Sequence, residues 1–573
     1  MQGTGNMMVT CRQLINEGFV EISFDRSEPI YSACASFSLD GGATYTPCAL
    51  YPDKDPEALL TYTVWEWDDA CRFGNVRLDD KPHPVYWNLY LNGLHQRSGP
   101  VSLRVETLGD DGPTAHDLKI DLAPSRVIYL DDWPRWTQSD SGWRTEPARL
   151  TVTDYERVER PFRIRPGLEG EFVVIVGLRR GGVSTRLRVG DEPARYPFSC
   201  REPCFSYEVP WKQVRLRPES EVEIWTTAYT RRHPDRAPFG AISYIKLIPV
   251  ARRRARTPRW PDKKLALYFE PYSIAFVYDL ETSSEVREFL STFHDMGADE
   301  IHDQVVRFGS RSMHHGRIAE RLAGQTAGDD GTYSPGPARM VASLDVLREA
   351  IDICRELGMT HYANAGITIC YPGTDLEDRF SREHPEWQEG QFLRYCHPET
   401  RAYAAGIVRE FVEWGTDGVT IDCMRYPEVH TEADLLALFE EIHQAIEDAR
   451  GQRQVPLTVR IPVGDMTYFR AFEQLARKGI VDCVVASSSS GEGRVYSLRP
   501  YLDWHRYGCR IYGCVDWWGN NPHGPSARRP GIAGLRDDIA DVLKQGADGI
   551  YIYQADGALC DPFRRTALDW RKW

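Results

Sequence analysis

Two hydrophobic patterns divide the chain near residue 260. Before it, apolar and polar side chains alternate in short runs, as in residues 20–24, 101–105 and 118–122. Because successive side chains of a strand point to opposite faces, this period of two indicates strands with one buried and one wet face. Turn signals such as Asp40-Gly41-Gly42 separate the runs. The pattern predicts antiparallel β-sandwich modules over the first 250 residues.

Within this β-rich part we place a boundary near residue 125. Residues 1–124 are then one β-sandwich module, and residues 125–250 are a second, carbohydrate-binding-like module. We expect few strands between residues 124 and 160, where strand-like alternation is sparse. Residues 251–263 form a basic linker, because the run Arg252-Arg253-Arg254-Ala255-Arg256 stands beside two prolines.

From residue 264 onward, strand-like apolar runs alternate with amphipathic helices. A helix predicted over residues 284–296 carries one apolar stripe, and a helix over 432–449 opens with Thr431 and Asp434, a capping-box pattern. A third helix is predicted over 532–545. Helices repeatedly end at a glycine, which adopts the left-handed cap conformation without a steric cost. These glycines are Gly297, Gly358, Gly415, Gly479, Gly508 and Gly546.

Eight predicted strands alternate with these helices, and eight βα units in residues 264–573 favour a closed (β/α)₈ TIM barrel. An open doubly wound sheet is the rival, but no glycine-rich phosphate loop follows the first strand. The fold class is therefore a multidomain chain with N-terminal β-sandwich modules and a C-terminal barrel that is catalytic. The strands are predicted at 265–270, 300–305, 361–366, 418–423, 457–461, 482–486, 510–515 and 548–553.

The composition limits the classes of molecule that this chain is expected to bind. Its 573 residues carry a formal net charge of −14, which argues against nucleic acid, since phosphate binding needs a basic surface. No run reaches the roughly 18 apolar residues that span a membrane. No secretory signal is visible, so we expect a cytoplasmic protein, or a secreted or periplasmic one if a signal has been removed. The 14 cysteines lack a zinc-site spacing, and we predict no metal or other cofactor. The sequence leaves the oligomeric state undefined.

Candidate chemistry follows from the rule that the active site of such a barrel lies at the C-terminal ends of its strands. Glycoside hydrolysis needs two carboxyl groups, one that protonates the leaving oxygen and one that attacks or activates water. Carboxylates gather at the predicted strand ends, with polar and aromatic residues that could bind a carbohydrate. We take Asp422, Glu492 and Asp516 as catalytic candidates and Glu270, Asp303, Asn364, Arg425, Arg460, Trp517, Gln554 and Asp556 as substrate-binding candidates.

Three arginines, Arg307, Arg425 and Arg460, are also predicted near this mouth. Guanidinium groups bind carboxylates and sulfates in a bidentate manner, which would suit an anionic sugar. The alternative is that the arginines hold the catalytic acids in place.

The fourth strand carries the most specific motif. Residues 414–427 read Trp-Gly-Thr-Asp-Gly-Val-Thr-Ile-Asp-Cys-Met-Arg-Tyr-Pro. This segment resembles the corresponding strand of the glycosyl-hydrolase-like TIM-barrel families, first described as domains of unknown function and related to the α-galactosidase superfamily. His384-Pro385-Glu386-Trp387 and the entry into the eighth strand are similar too. The resemblance covers roughly residues 264–560. It implies a retaining glycoside hydrolase in which Asp422 is the nucleophile and Glu492 the acid/base; Asp516 is the other candidate proton donor.

Two other functions remain open. A non-catalytic carbohydrate-binding protein would keep the barrel as a scaffold and need no carboxylate pair. A metal-dependent hydrolase usually has His-x-His at the end of the first strand, where this chain has Tyr268-Phe269-Glu270. For that hypothesis, the candidate ligands are His302 with Asp303, or His314 with His315.

Overall fold

The structure is a computed structural model, and everything below concerns the residues it describes. These are residues 8–25, 29–52, 54, 70–78, 83–136, 143–152, 161–178, 185–190, 207–226, 241–250, 260, 262–277, 281–324, 326–327, 333–424, 430–488, 496–516 and 532–555.

The first β-rich unit consists of two antiparallel sheets that share one core. The rings of Phe37 and Trp87, one from each sheet, stack with centroids 5.0 Å apart. The predicted alternation holds: Val101, Leu103 and Val105 are buried, while the residues between them are partly exposed. One sheet has the order Val9–Leu14, Phe19–Phe24, Val85–Asn88, Leu50–Tyr51; the other has the order Thr46–Pro47, Ile30–Ser38, Gly99–Gly109, Gly112–Leu122, with Asn75–Arg77 also paired to Ile30–Ser38.

A second pair of antiparallel sheets follows. The larger has the order Trp143–Glu146, Arg149–Val152, Ala241–Pro249, Gly170–Leu178, Tyr207–Leu216, with Ile128–Leu130 paired to Ala241–Pro249; the smaller has the order Phe162–Ile164, Val222–Thr226, Thr185–Val189. The expectation of few strands between residues 124 and 160 is wrong, because three strands lie there. Each has only three or four residues, which is too short for the alternation to be recognised. Most of the predicted linker, 251–263, lies outside the described residues.

Eight parallel strands close into a barrel, because the last strand pairs with the first through Lys264↔Gly549 and three further residue pairs. The closed barrel is confirmed and the open-sheet rival is excluded. The strands are β1 Lys264–Phe269, β2 Glu300–Arg307, β3 Thr360–Gly366, β4 Gly418–Asp422, β5 Leu457–Pro462, β6 Cys483–Ser487, β7 Arg510–Asp516 and β8 Gly549–Tyr553. Short two-residue strand pairs, Thr326–Ala327 with Tyr333–Ser334 and Gln388–Glu389 with Phe392–Leu393, lie in the loops after β2 and β3.

The helices surround the barrel, and their termini agree with the sequence signals. The capping box of Thr431 with Asp434 is present, and so is one formed by Thr282 with Glu285. All six predicted cap glycines have positive φ, from 69° to 107°. No helix in the described part of the chain is long and apolar enough to cross a membrane. The α-helices are Pro271–Val277, Ser283–Asp295, Gly336–Ser343, Val346–Leu357, Arg379–Glu383, Pro398–Glu413, Glu432–Ala449, Met466–Arg477, Arg499–Leu502 and Ile532–Lys544.

The barrel interior is unusually polar. Alternate residues of each strand point inward, and those that point outward, such as Leu265 and Leu267, pack in the main core. Branched aliphatic residues usually fill the inside of such barrels. Here the inward positions include four buried tyrosines, Tyr268, Tyr512, Tyr551 and Tyr553. The mouth of the barrel therefore lies over an interior that contains hydroxyl, amide and charged groups.

Candidate active site

Asp422, the last residue of β4, lies at the mouth of the barrel and both of its carboxylate oxygens accept hydrogen bonds. Arg460 Nη1 on β5 donates to Oδ2 at 2.9 Å, and the backbone N–H of Met424 donates to Oδ1 at 2.8 Å. The Asp422 and Arg460 side chains are only 7% and 4% exposed. A buried carboxylate is expensive unless it is paired and hydrogen-bonded, and here both conditions are met.

Further contacts hold the Arg460 guanidinium in place. Its Nε and Nη2 donate to Ser487 Oγ at 3.3 and 3.2 Å. Its Cζ lies 3.7 Å from the centroid of the Tyr553 ring, a cation–π contact. The orientation of Asp422 is thus set by residues from β5, β6 and β8.

A second carboxylate at the mouth, Glu270, follows β1 directly and is also paired with an arginine. Arg307 Nη2, at the end of β2, donates to Glu270 Oε1 at 2.6 Å, and the Ser273 hydroxyl donates to Oε2 at 2.6 Å. Burial would lower the pKa of Arg307, but Tyr371 and Glu270 nearby hold that pKa well above its ordinary value. A charged guanidinium is therefore held against the Glu270 carboxyl group.

A cleft opens beside this pair, between the ends of the first three strands. Glu270, Arg307 and Gln304 form its polar wall, and Tyr272 and Tyr371 supply aromatic surface. Arg311 also lines the cleft, and its Nε lies 3.7 Å from Glu320 Oε2.

Asn364 lies deeper, inside the barrel. Its register partner on β4 is Thr420, and the next inward pair toward the mouth is Gly366↔Asp422. The side chain is fully buried, and neither its amide nitrogen nor its amide oxygen has a hydrogen-bond partner among the described residues. The hydroxyl of Tyr551 is also buried without a described partner. Since buried polar groups are nearly always paired, these two side chains mark an atypical region beneath Asp422.

Asp303, predicted to bind substrate, is not brought to the mouth. Neighbouring Glu300, His302 and Gln304 face the barrel interior, so Asp303 points to the opposite face of β2. There it is fully buried, with Oδ2 3.4 Å from His361 Nε2. Burial raises the pKa of Asp303, although His361 opposes the shift. This carboxylate belongs to the packing between strands and helices.

The same geometry bears on the metal-site candidates. His302 and Asp303 face opposite sides of their strand, and His302 Nδ1 instead lies 2.6 Å from Thr420 Oγ1. His314 contacts Ser312 and lies 3.7 Å from Glu410 Oε2, whereas His315 Nε2 lies 2.6 Å from the carbonyl oxygen of Val341. Within the described residues, no group of three or more potential ligands is placed to hold a metal ion.

The remaining candidates differ in how far the structure describes them. Gln554 follows β8 at the mouth, half-buried and with φ of 51°. Asp516 ends β7, and its side chain lies outside what the structure describes. The other candidates that lie outside the described residues are Arg425, Glu492, Trp517 and Asp556.

Several side chains of this site were absent from the candidate set, among them Ser487, Tyr553 and Tyr371. Ser487 and Tyr553 end β6 and β8, so the strand-end rule could have found them. Tyr371 lies in the loop after β3, where no sequence signal marks it.

No protein-family model matches the chain, and no curated protein sequence does. Among solved structures, it is similar to α-L-fucosidase isoenzyme 2 from Paenibacillus thiaminolyticus, with 12% identity, a TM-score of 0.36, and coverage of 54% of this chain and 49% of that one. This chain thus spans about half the length of that fucosidase. A GH18 chitinase from Pseudoalteromonas aurantia has 12% identity and a TM-score of 0.33, over 54% of this chain and all of that chain. The glycoside hydrolase domain of PelA from Pseudomonas aeruginosa has 13% identity and a TM-score of 0.31, over 52% and 96%. Because all three TM-scores are below 0.5, the fold assignment rests on the strand pairing itself.

Proposed function

We propose that this protein is a glycoside hydrolase that cleaves a glycosidic bond in an oligo- or polysaccharide at the mouth of the barrel. The observation that carries the proposal is the position of Asp422: a carboxylate at the end of β4, held by Arg460 and a backbone N–H. Barrel enzymes place their reacting groups at these strand ends. The motif of the fourth strand, which resembles glycosyl-hydrolase-like barrels, supports the same role.

Asp422 acts as the nucleophile in this proposal. Each carboxylate oxygen has two acceptor positions, so the two hydrogen bonds leave lone pairs free to attack the anomeric carbon. Attack forms a covalent glycosyl–enzyme intermediate, which water then hydrolyses with retention of configuration. Arg460 keeps Asp422 oriented, and the buried Ser487 and Tyr553 contacts keep Arg460 in place.

The proton donor must be a third group. A general acid has to be protonated at the working pH, and a carboxylate beside a guanidinium favours its charged form. Asp422 already acts as the nucleophile and Glu270 is paired with Arg307, so neither suits that role. We assign the proton to Glu492, as the resemblance implies, or to Asp516 at the end of β7. Glu270 then binds substrate.

One observation favours a second function. The two described carboxylates of the mouth are each neutralised by an arginine, which also suits a non-catalytic carbohydrate-binding protein. Such a protein needs polar and aromatic contacts but no proton donor.

Hydrolysis of a panel of aryl glycosides and natural oligosaccharides, neutral and acidic, by wild type and Asp422→Asn tests the proposal. We expect wild type to cleave one class and the variant to lose at least ~100-fold in rate. Asp375→Asn, at an exposed loop position, is the control and should match wild type. If Asp422→Asn hydrolyses the substrate at the wild-type rate, Asp422 is excluded as the nucleophile. Binding without cleavage by wild type would favour the second function, and loss of cleavage with a chelator would favour metal chemistry.

A further inference from the structure

We propose that the cleft between the ends of β1, β2 and β3 is a subsite for an uncharged sugar ring, with Tyr371 as the stacking residue and the Glu270–Arg307 pair as the partner of the ring hydroxyls. This inference deepens the proposed function and rests on it in taking the ligand to be a glycan. What it adds is the class of sugar, an uncharged ring, and a residue that determines specificity, Tyr371.

The charge of the cleft selects an uncharged ring. Arg307 is paired with Glu270 at 2.6 Å, and Arg460 across the mouth is paired with Asp422 at 2.9 Å. Arg311 lies 3.7 Å from Glu320, a carboxylate that it shares with Arg382 at 3.2 Å. Among the described residues here, Arg307 and Arg460 thus each have a carboxylate of their own, and Arg307 is the guanidinium that a ring beside Tyr371 would meet. An acidic sugar would have to displace Glu270 or lie beside it as a like charge, which is unfavourable.

Hydroxyl groups suit such a pair. A sugar hydroxyl both donates and accepts, so it can donate to Glu270 and accept from Arg307 without breaking their ion pair. Two neighbouring hydroxyls of one ring could use the two partners together. The Ser273 hydroxyl holds the other oxygen of Glu270 at 2.6 Å, which fixes the orientation of this carboxylate.

Tyr371 supplies the aromatic face, and its backbone is held in a costly conformation. Its φ is 53°, in the left-handed region that a bulky residue seldom adopts. The Tyr371 carbonyl accepts hydrogen bonds from the Thr374 N–H at 3.2 Å and hydroxyl at 2.8 Å, which close the turn. The half-buried ring lies 6.0 Å from Arg307 Cζ, beside the cleft. Strained residues of this kind concentrate at ligand contacts, and a tyrosine face offers a flat apolar surface to a ring.

Gly366 at the end of β3 makes room for this arrangement. A Cβ atom there would lie 3.1 Å from Arg307 Cγ and 3.5 Å from Gln304 Nε2. Arg307 therefore passes over the strand end where a side chain would crowd it, and reaches Glu270. The residues that line the cleft thus come from β2, from the segment directly after β1, and from the loops after β2 and β3.

Binding is tested on the full chain by saturation-transfer NMR at millimolar probe concentration. The neutral probes are the methyl glycosides of glucose, galactose, fucose and N-acetylglucosamine, and the acidic probes are glucuronate and galacturonate. At least one neutral probe should bind and neither uronate should. Tyr371→Gly removes the ring and relieves the backbone strain, so we expect affinity to fall roughly 3- to 10-fold with no fall in Tm. Tyr371→Phe should bind like wild type.

Tyr507→Ala is the control, because Tyr507 is a half-buried tyrosine that contacts Arg477 and Arg506 elsewhere. Equal or tighter binding of a uronate, no binding of any probe, or unchanged affinity in Tyr371→Gly would each overturn the inference. Comparing the binding of the probes by wild type with its hydrolysis of the aryl glycoside and oligosaccharide panel separates the two proposals. If wild type cleaves none of the substrates of the hydrolysis panel but binds a neutral probe in a Tyr371-dependent way, the hydrolase proposal fails and the subsite stands.

Discussion

Arg460 Nη1 lies 2.9 Å from Asp422 Oδ2, and the two residues are register partners on adjacent strands of the barrel. Both side chains are nearly buried. In such a pair each charge depends on the other, because an isolated charge at this depth would lack both water and a counter-ion.

Replacing Arg460 with methionine should therefore destabilise the barrel. Removing one partner of a buried ion pair costs about 3–5 kcal/mol, so we expect the Tm of Arg460→Met to fall clearly below that of wild type. In the double variant Arg460→Met/Asp422→Asn no buried charge is left unpaired, and part of the lost stability should return. Thermal unfolding of the two single variants and the double variant measures the coupling. A double variant no more stable than Arg460→Met would show that the two charges do not depend on each other.

The proton donor can be identified by comparing substrates whose leaving groups differ in acidity. An aryl glycoside with a strongly acidic phenol needs little protonation, whereas a natural sugar leaving group needs much. Glu492→Gln or Asp516→Asn, whichever removes the acid, should therefore lose far more kcat/KM on the natural substrate than on the activated one. Glu270→Gln should lose similarly on both, because it removes a binding contact. If instead Glu270→Gln shows the selective loss, our assignment of the proton to a third group is wrong.

The architecture of the barrel was predictable because each element carries a local signal. All eight strands lie within two residues of their predicted bounds, and the helix over 432–449 matches at both ends. Capping residues and terminal glycines act over one helical turn, so a single sequence contains them.

The direction of side chains was harder to predict. In β2 the polar residues Glu300, His302 and Gln304 face inward, and Asp303 faces outward. Polarity usually reports which face of a barrel strand is wet, but this barrel has a polar interior. Both faces of β2 carry polar residues, so the position of Asp303 could not be read from the pattern.

Side-chain contacts between neighbouring strands also could not be predicted from the local sequence pattern. The sequence placed three arginines near the candidate acids without deciding which of them contacts Asp422, and the structure pairs Asp422 with Arg460, 38 residues away. Register between two strands decides this contact, and register depends on the closed sheet rather than on either segment alone.

We expect the buried amide of Asn364 to lower the stability of the protein while contributing to its function. Its buried amide has no described partner, and an unsatisfied buried polar group costs about 1–3 kcal/mol. Asn364→Leu, of similar shape, should leave the Tm unchanged or raise it. If the amide binds a substrate hydroxyl, the same variant loses activity or affinity, so both are measured beside the Tm. A lower Tm would show that the amide is satisfied in the folded protein.

His430 precedes the helix Glu432–Ala449 and is 6% exposed, with its ring centroid 5.1 Å from that of Tyr395. Burial lowers the pKa of His430 to about 4; Asp434 opposes this shift and Arg394 adds to it. The unfolded chain has a histidine pKa near 6.5. Between these values the unfolded state binds a proton that the folded state does not, so the free energy of unfolding decreases as the pH falls.

His430→Gln should therefore make the protein less sensitive to acid. The buried histidine removes up to about 3 kcal/mol of stability as the pH falls from 6.5 to 4, and glutamine, which does not titrate, removes none of it. We expect the Tm of wild type to fall more steeply than that of the variant over this range, with little difference in slope above pH 7. His294→Gln is the matched control, because His294 is an exposed histidine of the same barrel, and its Tm should follow wild type. Parallel Tm curves for wild type and His430→Gln down to pH 4 would mean that His430 takes up its proton without unfolding, and the predicted acid sensitivity would not come from this residue.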